Sequence, residues 1–552
     1  MTEGIDLYQK HKVLLEDAIT ALSTRQFFSP YPEHPKAYAE DLDAQGKDAF
    51  GRLLNENFTE LNQTADSWIG EEVSPVWQYG IGVKYPSTSI DTYVSNSAHA
   101  AKSWKAISIQ DRAGILIESL ERIRSRFFEL AYATIHTTGQ SHMMAFQASG
   151  PHAADRALEA VAMGVQELTR YPEEITFVKP LGKYKLTIEK SWKPIPKGIG
   201  LVIGCSTFPT WNTVPGVYAN LIAGNTVIIK PHPKSILAIA IFTAELRKVI
   251  SEFGLDPNTV QLAVDTLGEP ITKKLAEHSD IKLIDYTGGS SFGSYIESLN
   301  KTVFTEKSGI NSVILDSVED IKSVAQNIAF SACLYSGQMC TAPQNVFIPE
   351  VVRTENGTLT FEEVASQIAE AVKGVIFHPK MGVGTLGNIQ SDKTLKHIKE
   401  AKIQEGDLLL GPQEIINPEA PNSRIQSPSV IAVNSQNSVY KQEYFGPVLF
   451  LIKTLDTHES ILLAAELAET KGAISCLAFS TNTETQITIE ESMNAVFTPV
   501  SFNLSGAGFV NQHAAFSDFH VTGGNPAGNA TFADATFLNR RFVWVGNRRM
   551  ES

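Results

Sequence analysis

Short apolar runs alternate with longer amphipathic runs through the middle of the chain. Buried strands are predicted at GLVIGC, NTVIIKP, VQLAVD and IKLIDYTGG, and helices between them at VPGVYANLI, ILAIAIFTAELRKVISEFG and KKLAEHS. Strands that alternate with helices in this way are typical of a parallel, doubly wound sheet. Such sheets bind ligands at the carboxyl ends of their strands, so we expect a ligand crevice there.

A second α/β rhythm begins after about Ser312. Its clearest strands are NSVILD, VFIPE, SVIAV and ISCLAFS, and a helix is predicted over residues 320–331. Two stretches fit neither half: residues 176–195 predict extended strands, and the tail FLNRRFVWVGNRR predicts one more. Ahead of both halves, residues 1–96 predict a helical and loop-rich extension, and residues 98–139 are strongly helical.

Composition limits the classes of function. The 552 residues carry 60 acidic and 46 basic side chains, a formal net charge of −14 that argues against a nucleic-acid partner. No apolar run reaches the roughly 18 residues that a membrane span needs, and the opening residues carry no apolar core of signal-peptide length. The four cysteines include no CxxC pair, which favours a reducing compartment over a disulfide framework or a metal site. We therefore expect a cytoplasmic protein of the size of an enzyme, with no nucleic-acid, membrane or metal partner; composition alone indicates no particular chemistry.

The segment SGQMCTA (336–342) could present the thiol of Cys340 as a nucleophile. A cysteine that follows a glycine-containing turn and precedes small residues can lie at a loop tip, where its sulfur is accessible. Taken alone, an inert packing cysteine is the more common case, and Cys333 and Cys476 fit that description better.

Three further positions suit a ligand site in this kind of sheet. Glu306 follows a short apolar strand and could act as a general base, although a solvated glutamate paired with Lys307 is the commoner alternative. Lys230 closes the strand NTVIIK and would point into the crevice, unless it is an ordinary surface lysine. A glycine turn opens a helix whose first amides could meet a pyrophosphate, and its members are Gly288, Gly289 and Gly293.

In combination these residues resemble the aldehyde dehydrogenase superfamily. Lys230, Glu306 and Cys340 lie 76 and 34 residues apart, which matches the separation of the family's lysine, glutamate and cysteine. Downstream, EYFGPV (443–448) is similar to the family's Glu-x-Phe-Gly-Pro motif, and LIAGNT (221–226) to its Ala-Gly-Asn-x-Val stretch. The resemblance runs from about residue 97 to about residue 545. Within the superfamily, the N-terminal extension and the GQMC and SDFH segments most resemble the aldehyde dehydrogenase-type proteins of bacterial phenylacetic acid degradation.

The resemblance implies an α/β fold with a Rossmann-type cofactor domain, an α/β catalytic domain and a small β oligomerisation element. The cofactor-binding domain would span residues 97–310, with oligomerisation strands inserted at 176–195, and the catalytic domain residues 311–510. Residues 1–96 would form an N-terminal extension, and residues 511–552 a C-terminal segment with a further oligomerisation strand. In the family such strands pair between subunits, so we expect a homodimer or a homotetramer.

The resemblance also implies NAD(P)-dependent oxidation of an aldehyde to a carboxylic acid. Cys340 would attack the aldehyde carbon, hydride would leave for the nicotinamide, and Glu306 would activate the water that hydrolyses the thioester. Lys230 and Glu443 would hold the riboses of the cofactor, Phe445 would pack near the nicotinamide, and the three glycines of the turn would line the pyrophosphate.

Two positions depart from the family's pattern. Thr207 stands where the family has the asparagine that helps to hold the oxyanion, and the loss of one such donor can cost about 3–4 kcal/mol unless Thr207 or the nearby Asn212 compensates. Pro233 stands where many NAD-preferring members have a glutamate, and Lys234 adds a cation. We therefore expect NADP as the cofactor, with NAD as the alternative.

The sequence leaves the substrate and two other functions open. Phe208, Trp211 and Phe509 are candidate walls of a substrate tunnel, although core packing would explain any one of them. The aldehyde could carry a CoA thioester and belong to phenylacetate or aromatic-compound catabolism. A non-catalytic member of the fold is opposed by the intact cysteine and glutamate, and a CoA-acylating member would typically lack the glutamate.

Overall fold

The computed structural model describes residues 6–379, 381–403, 406–521 and 524–550. Among these residues, no helix combines the length and the apolar composition that a bilayer crossing requires. The helices are α1 (Leu7–Thr24), α2 (Leu42–Leu53), α3 (Ile90–Trp104), α4 (Ile109–Arg124), α5 (Phe127–Thr138), α6 (His142–Ser149), α7 (Pro151–Leu168), α8 (Val214–Ile222), α9 (Leu237–Glu252), α10 (Thr272–Glu277), α11 (Ser290–Ser298), α12 (Ile321–Cys333), α13 (Phe361–Ile376), α14 (Met381–Thr385), α15 (Asp392–Ile403), α16 (Thr457–Lys471), α17 (Thr483–Ala495) and α18 (Ala535–Asn539). The strands are β1 (Ser67–Ile69), β2 (Tyr85–Ser87), β3 (Glu174–Leu181), β4 (Tyr184–Pro196), β5 (Ile199–Ile203), β6 (Thr226–Lys230), β7 (Val260–Leu262), β8 (Ile281–Thr287), β9 (Thr302–Glu306), β10 (Asn311–Leu315), β11 (Ser317–Val318), β12 (Pro343–Pro349), β13 (Val351–Thr354), β14 (Gly357–Thr360), β15 (Asp407–Leu410), β16 (Ser429–Asn434), β17 (Val448–Thr454), β18 (Cys476–Phe479), β19 (Val500–Phe502), β20 (His520–Val521), β21 (Thr531–Phe532) and β22 (Phe542–Arg549).

Five parallel strands form a sheet in the order β7-β6-β5-β8-β9, which confirms the doubly wound pattern. Their side chains are largely buried, as expected for short apolar runs covered on both faces. The chain builds outward from β5 to β7 on one side and then returns to add β8 and β9 on the other. The crevice of such a sheet lies where the strand order reverses, and here that puts the carboxyl ends of β5, β8 and β9 around one opening.

The second α/β sheet has seven strands in the order β15-β16-β17-β12-β10-β18-β19. Every pairing is parallel except that of β15 with β16 at one edge. Helices α12 and α13 pack on one face, and α16 packs on the other. The four strands predicted from the apolar runs are present as β10, β12, β16 and β18, so the α/β fold class is confirmed. The domain boundaries drawn from the sequence stay a prediction.

A separate antiparallel sheet, β22-β4-β3, lies outside both α/β sheets. The two stretches that fit neither half are therefore paired with each other along β4. Several of its apolar side chains are exposed, among them Val178, Tyr184 and Val543. The tail prediction is wrong at its start, because residues 537–539 are helical: the carboxylate of Asp534 caps α18 by accepting the backbone N–H of Phe537 at 2.8 Å.

The N-terminal extension is tied to the body by its two helices. Helix α1 packs against α4 and α7, and α2 packs against α5. The sequence did not predict α2, whose two glycines weaken a helical pattern. Gly46 has a structural purpose, because a Cβ there would lie 2.5 Å from Cβ of Phe128 on α5. Because glycine has no Cβ atom, the backbones of α2 and α5 can approach closely.

Candidate active site

The loop that carries Cys340 is held in an unusual backbone conformation. Tyr335, Ser336 and Gly337 have φ values of 50°, 51° and 67°, in the left-handed region that favours glycine. A Cβ on Gly337 would lie 2.6 Å from the carbonyl oxygen of Gly446. Glycine at this position therefore lets the cysteine loop touch the EYFGPV segment, which brings two distant motifs together.

Hydrogen bonds fix this loop from three sides. The hydroxyl of Tyr335 donates to the carbonyl of Thr138 at 2.6 Å, and the hydroxyl of Ser336 donates to the carbonyl of Gln426 at 2.8 Å. The side-chain amide of Asn311, at the start of β10, donates to the carbonyl of Cys340 at 2.7 Å. Such bonds offset part of the cost of the left-handed residues, which is about 1–3 kcal/mol for each one held in a sparsely populated region.

Glu306 ends β9 inside the molecule, with only 5 % of its surface exposed. One carboxylate oxygen lies 3.0 Å from Nε2 of His520, and the other accepts a hydrogen bond from the side-chain amide of Asn212 at 3.1 Å. Lys307 is paired instead with Glu297 at 2.7 Å. The alternative of a solvated glutamate paired with Lys307 is therefore wrong. A buried carboxylate with two hydrogen-bond partners is held in one orientation.

The sulfur of Cys340, a carboxylate oxygen of Glu306 and a ring nitrogen of His520 all lie within 4.8 Å of one another. Burial raises the pKa of the Cys340 thiol well above its ordinary value, and the neighbouring charge of Glu306 raises it further. The thiol is therefore neutral at rest, and the carboxylate lies where it can remove a proton from the thiol or from a nearby water. The same sulfur, nitrogen and oxygen donors would also suit a zinc ion.

His520 was not among the residues chosen from the sequence. Its ring packs between Trp211 and Phe532, with ring centroids 4.9 Å and 5.2 Å away. It meets Glu306 across a separation of 214 residues. A histidine beside a phenylalanine has no local pattern that predicts such a contact, and the SDFH segment supported only the family resemblance.

A first cavity of about 710 Å³ opens at the carboxyl ends of β5, β8 and β9. Seven of the predicted site residues line it: Thr207, Gly288, Gly289, Glu306, Cys340, Glu443 and Phe445. Gly288 and Gly289 lie just before α11, so the amino end of that helix faces the cavity. A Cβ on Gly289 would meet no atom within 4 Å, which leaves open space in front of the turn.

Two predicted cofactor residues do not line this cavity. Lys230 is 2 % exposed, and its ammonium group pairs with Asp265 at 2.6 Å. Gly293 lies within α11, where a Cβ would be 2.5 Å from Cγ of Lys307. The absence of a side chain at Gly293 thus makes room for a neighbouring lysine rather than for a ligand.

Glu443 and Phe445 lie where the EYFGPV segment meets the first cavity. The carboxylate of Glu443 accepts the backbone N–H of Gly309 at 3.3 Å, and burial raises its pKa. Phe445 has a φ of 42°, an uncommon conformation for a side chain of that size. Both side chains are therefore set in place by their backbone surroundings.

Thr207 and Asn212 come close to the reactive pair in different ways. Thr207 lines the first cavity, and its carbonyl accepts the side-chain amide of Gln140 at 2.7 Å. Asn212 directs its side-chain amide at Glu306, so that donor is already engaged. Cys205 lies beside them, with its sulfur 3.5 Å from Oδ1 of Asn212, and burial raises its pKa to about 11.

A second cavity of about 1090 Å³ reaches Cys340 from another direction. It shares with the first cavity only Phe208, Cys340 and Ile474 among the described residues. Six aromatic rings line it, and they include the three suggested by the sequence: Phe27, Phe208, Trp211, Phe330, Phe509 and Phe519. The reactive sulfur thus lies where the cavity at the sheet edge meets a second cavity with several aromatic rings in its wall.

Comparison with known proteins identifies relatives of this arrangement. Residues 83–517 match the model of the aldehyde dehydrogenase family. The crystal structure of an NAD-dependent aldehyde dehydrogenase from Burkholderia multivorans superposes with a TM-score of 0.96 at 41 % identity and covers 99 % of each chain. A 1-pyrroline-5-carboxylate dehydrogenase from Staphylococcus epidermidis is 25 % identical over 403 residues, which are 69 % of this chain and 72 % of that protein. An α-ketoglutaric semialdehyde dehydrogenase from Bacillus subtilis is 23 % identical over 488 residues, which are 83 % and 92 % of the two chains. The family match ends before His520.

Proposed function

The chain belongs to the aldehyde dehydrogenase family and is an NAD(P)-dependent oxidoreductase, and on that premise we propose that Cys340 is its nucleophile and Glu306 its hydrolytic base. The observation that carries this proposal is the contact of thiol, carboxylate and imidazole within 4.8 Å, at the point where the two cavities meet. A reactive group in that position can be reached by a cofactor from one side and by a substrate from the other.

The chemistry begins with loss of the thiol proton. Glu306 lies close enough to accept it, and the sulfur of Cys340 then forms a bond to the aldehyde carbon. Bound NAD(P) supplies the acceptor for the hydride that leaves that carbon. The product is a thioester on Cys340. Glu306 passes the thiol proton to solvent, and a water then attacks the thioester while Glu306, ionised again, takes a proton of that water and returns it to the sulfur as the sulfur leaves. The carbon–sulfur bond breaks, and the acid leaves.

The first cavity fits a dinucleotide. Its glycine turn leaves open space before the amino end of α11, which suits a pyrophosphate. Glu443 and Phe445 also line this cavity, where they would hold a ribose and the nicotinamide end. The ammonium group of Lys230 is paired with Asp265. To hold a ribose, it would have to bind the ribose in addition to Asp265 or in place of it. NADP is the proposed preference, since Pro233 carries no carboxylate to repel a 2′-phosphate.

The second cavity would hold the aldehyde. Its aromatic and methionine lining favours a bulky, apolar substrate. This supports a place in phenylacetate or aromatic-compound catabolism, where the aldehyde could also carry a CoA thioester. The carboxylate of Glu306 is buried and has two hydrogen-bond partners, which favours hydrolysis over transfer of the acyl group to CoA.

Three further proposals concern the molecule as a whole. The four cysteines form no disulfide among the described residues, and such cysteine usage supports a cytoplasmic location. The exposed sheet β22-β4-β3 supports assembly as a homodimer or a homotetramer. Residues 97–310 and 311–510 are proposed as the cofactor-binding and catalytic domains, flanked by the extension 1–96 and the segment 511–552.

The experiment that tests the mechanism is a pre-steady-state assay of Glu306→Gln. Without the base, thioester formation should proceed and hydrolysis should stop, so the variant should release one burst of reduced cofactor per active site and then stall. Mass spectrometry should find the acyl group on Cys340. Because Glu306 also takes the thiol proton, the burst should be slower than in the wild type, but it should still be followed by the stall.

A neighbouring acid serves as the matched control. Glu297 lies on α11 and pairs with Lys307, outside the contact with Cys340, so Glu297→Gln should turn over steadily. Steady turnover of Glu306→Gln, or a need for CoA in the wild type, would show that the hydrolytic mechanism is wrong.

A further inference from the structure

A second cluster of titratable side chains lies in the wall of the second cavity. The rings of His152 and His513 are stacked, with centroids 3.9 Å apart and planes inclined by 3°. Nε2 of His152 lies 2.8 Å from a carboxylate oxygen of Glu33, and Nε2 of His513 lies 3.0 Å from one of Asp155. Both imidazoles and Glu33 line the cavity that reaches Cys340.

Three separate parts of the chain build this cluster. Glu33 comes from the N-terminal extension, His152 and Asp155 from the first turns of α7, and His513 from the segment after β19. Asp155 also accepts the hydroxyl of Ser29 at 2.6 Å. The family match begins at residue 83, so the extension adds a wall to this cavity that lies outside the matched part of the chain.

The pairing fixes which ring nitrogens can meet a ligand. Glu33, whose pKa is lowered by its hydrogen bond to His152, is ionised near neutral pH, so the ring proton of His152 belongs on Nε2 and Nδ1 is left as an acceptor. Burial raises the pKa of Asp155 to about 7, and its ionised form imposes the same arrangement on His513. Among the described residues neither Nδ1 has a hydrogen-bond partner, and both rings line the cavity. Burial lowers the pKa of His152 to about 4 and that of His513 to about 3. Both rings are therefore neutral near neutral pH.

The charges around the cluster disfavour an anion. The charged side chains that line the cavity are Glu33, Asp518 and Arg156. The guanidinium of Arg156 is already engaged by the carboxylate of Glu159 at 2.6 Å. A carboxylate that approached the imidazoles would meet the acidic groups behind them without a free cation to balance it.

We propose that Nδ1 of His152 and Nδ1 of His513 form a binding site for a neutral hydrogen-bond donor, a hydroxyl or an amide N–H, at the far end of the aldehyde substrate. The inference rests on the proposed function, because it takes the second cavity as the substrate's side of Cys340. The aromatic wall between Cys340 and the two imidazoles suits an apolar segment between the aldehyde and that donor. An aldehyde that ends in a carboxylate is disfavoured, because the acidic groups around the imidazoles would repel it.

The test uses straight-chain aldehydes of several lengths that end in a methyl, a hydroxyl or a carboxylate group. The wild type should have its highest kcat/KM for a hydroxyl-ended aldehyde. His152→Phe and His513→Phe keep a stacked ring but remove the acceptor. Each should lower the preference for hydroxyl over methyl, taken as the ratio of the two kcat/KM values, by roughly three- to tenfold, the usual value of one neutral hydrogen bond.

The chain offers a matched control. His142 also pairs with a carboxylate of the extension, Asp43, at 2.9 Å, but it does not line the cavity. His142→Phe should therefore leave the hydroxyl preference unchanged. If His513→Phe fails to fold, His152→Phe decides the matter alone, because its side chain is the more exposed of the two.

A binding measurement separates this inference from the proposed function. The same aldehydes are titrated by calorimetry into Cys340→Ala, with and without each histidine substitution. If the wild type oxidises aldehydes but neither rate nor binding favours the hydroxyl end, the distal site is wrong and the proposed function stands. If no aldehyde is oxidised, yet binding keeps a hydroxyl preference that both substitutions remove, the proposed function is wrong and the distal site stands. A preference for the carboxylate end would overturn the assignment of a neutral donor.

Discussion

The two cavities that meet at Cys340 are built from different kinds of chain. The first is lined by residues between Ile203 and Ile474, mostly strand ends and the turns that follow them, and all lie inside the family match. The second draws on residues from Phe27 to Val521, and so reaches past the match at both ends. Its walls come largely from loops, the extension and the C-terminal segment.

We infer that the first cavity carries out the reaction and that the second selects the substrate. Side chains at the ends of packed strands are positioned accurately, which suits a reaction that must not vary. Loops and chain extensions change at little cost to the core, so they suit a pocket that adapts to a particular molecule. Substitutions in the first cavity should therefore affect all aldehydes alike, and those in the second should affect some aldehydes more than others.

Removal of the sulfur shared by both cavities should have the largest effect. Cys340→Ala should lower turnover of every aldehyde by on the order of a thousandfold or more, because it removes the sulfur that forms the thioester. Cofactor binding, measured by calorimetry, should stay within about twofold, since the first cavity keeps its walls. Cys333→Ala and Cys476→Ala are the controls, because both thiols are buried in packed elements. Normal rates for Cys340→Ala would end the assignment of the nucleophile.

His520 tests whether the C-terminal segment contributes to the chemistry as well as to the pocket. His520→Phe keeps a ring between Trp211 and Phe532 but removes the hydrogen bond to Glu306. A hydrogen bond to a charged group contributes about 1.5–3 kcal/mol, so kcat should fall roughly ten- to a hundredfold. His520→Gln retains a donor and should recover part of the loss. A wild-type kcat for His520→Phe would confine that residue to a packing role.

Cofactor choice tests the first cavity with a smaller effect. NADP should bind more tightly than NAD, and Lys234→Ala should weaken NADP by roughly fivefold without changing NAD, which is typical of one partly exposed charge pair. Pro233→Glu should shift the preference toward NAD by placing a carboxylate against the 2′-phosphate. Calorimetry at low salt gives both constants. A clear preference of the wild type for NAD would contradict the prediction.

The smallest effect on chemistry is expected far from both cavities. Light scattering should find a homodimer or a homotetramer, because β3 leaves one edge of the three-stranded sheet unpaired in the described chain. Val178→Asp places a charge on that strand and should weaken assembly, while activity per active site stays within about twofold. A stable monomer at micromolar concentration in the wild type would rule out the predicted assembly.

The parts that the sequence predicts well are those with a local pattern. The runs of β5, β6 and β8 are short, apolar and flanked by helices, so their burial in a parallel sheet follows from composition. Cys340 and Glu306 could be chosen because their spacing matches a family in which that spacing is fixed. The structure then brings these two residues together, with Glu306 buried and Cys340 half-buried.

The parts that the sequence missed depend on contacts between distant residues. Nothing near Lys230 indicates that Asp265 will pair with it, and nothing near His513 indicates a stacked partner on α7. Helix α2 was missed because Gly46 weakens a helical pattern, while its value appears only once Phe128 of α5 is alongside. Such features are properties of packing, so they become visible only in three dimensions.

The contact between Glu306 and His520 also has a consequence for how the protein is made. A ribosome releases the chain from its N-terminus, so Glu306 emerges 214 residues before the histidine that will hold it. During that interval the five-stranded sheet can fold, because all of its strands have been synthesised, whereas the carboxylate at its edge still lacks one of its two hydrogen-bond partners. A nascent chain that stops between Cys340 and His520 would contain the thiol and the base without the imidazole that meets the base. The capacity for catalysis should therefore appear late in synthesis, after most of the fold is in place.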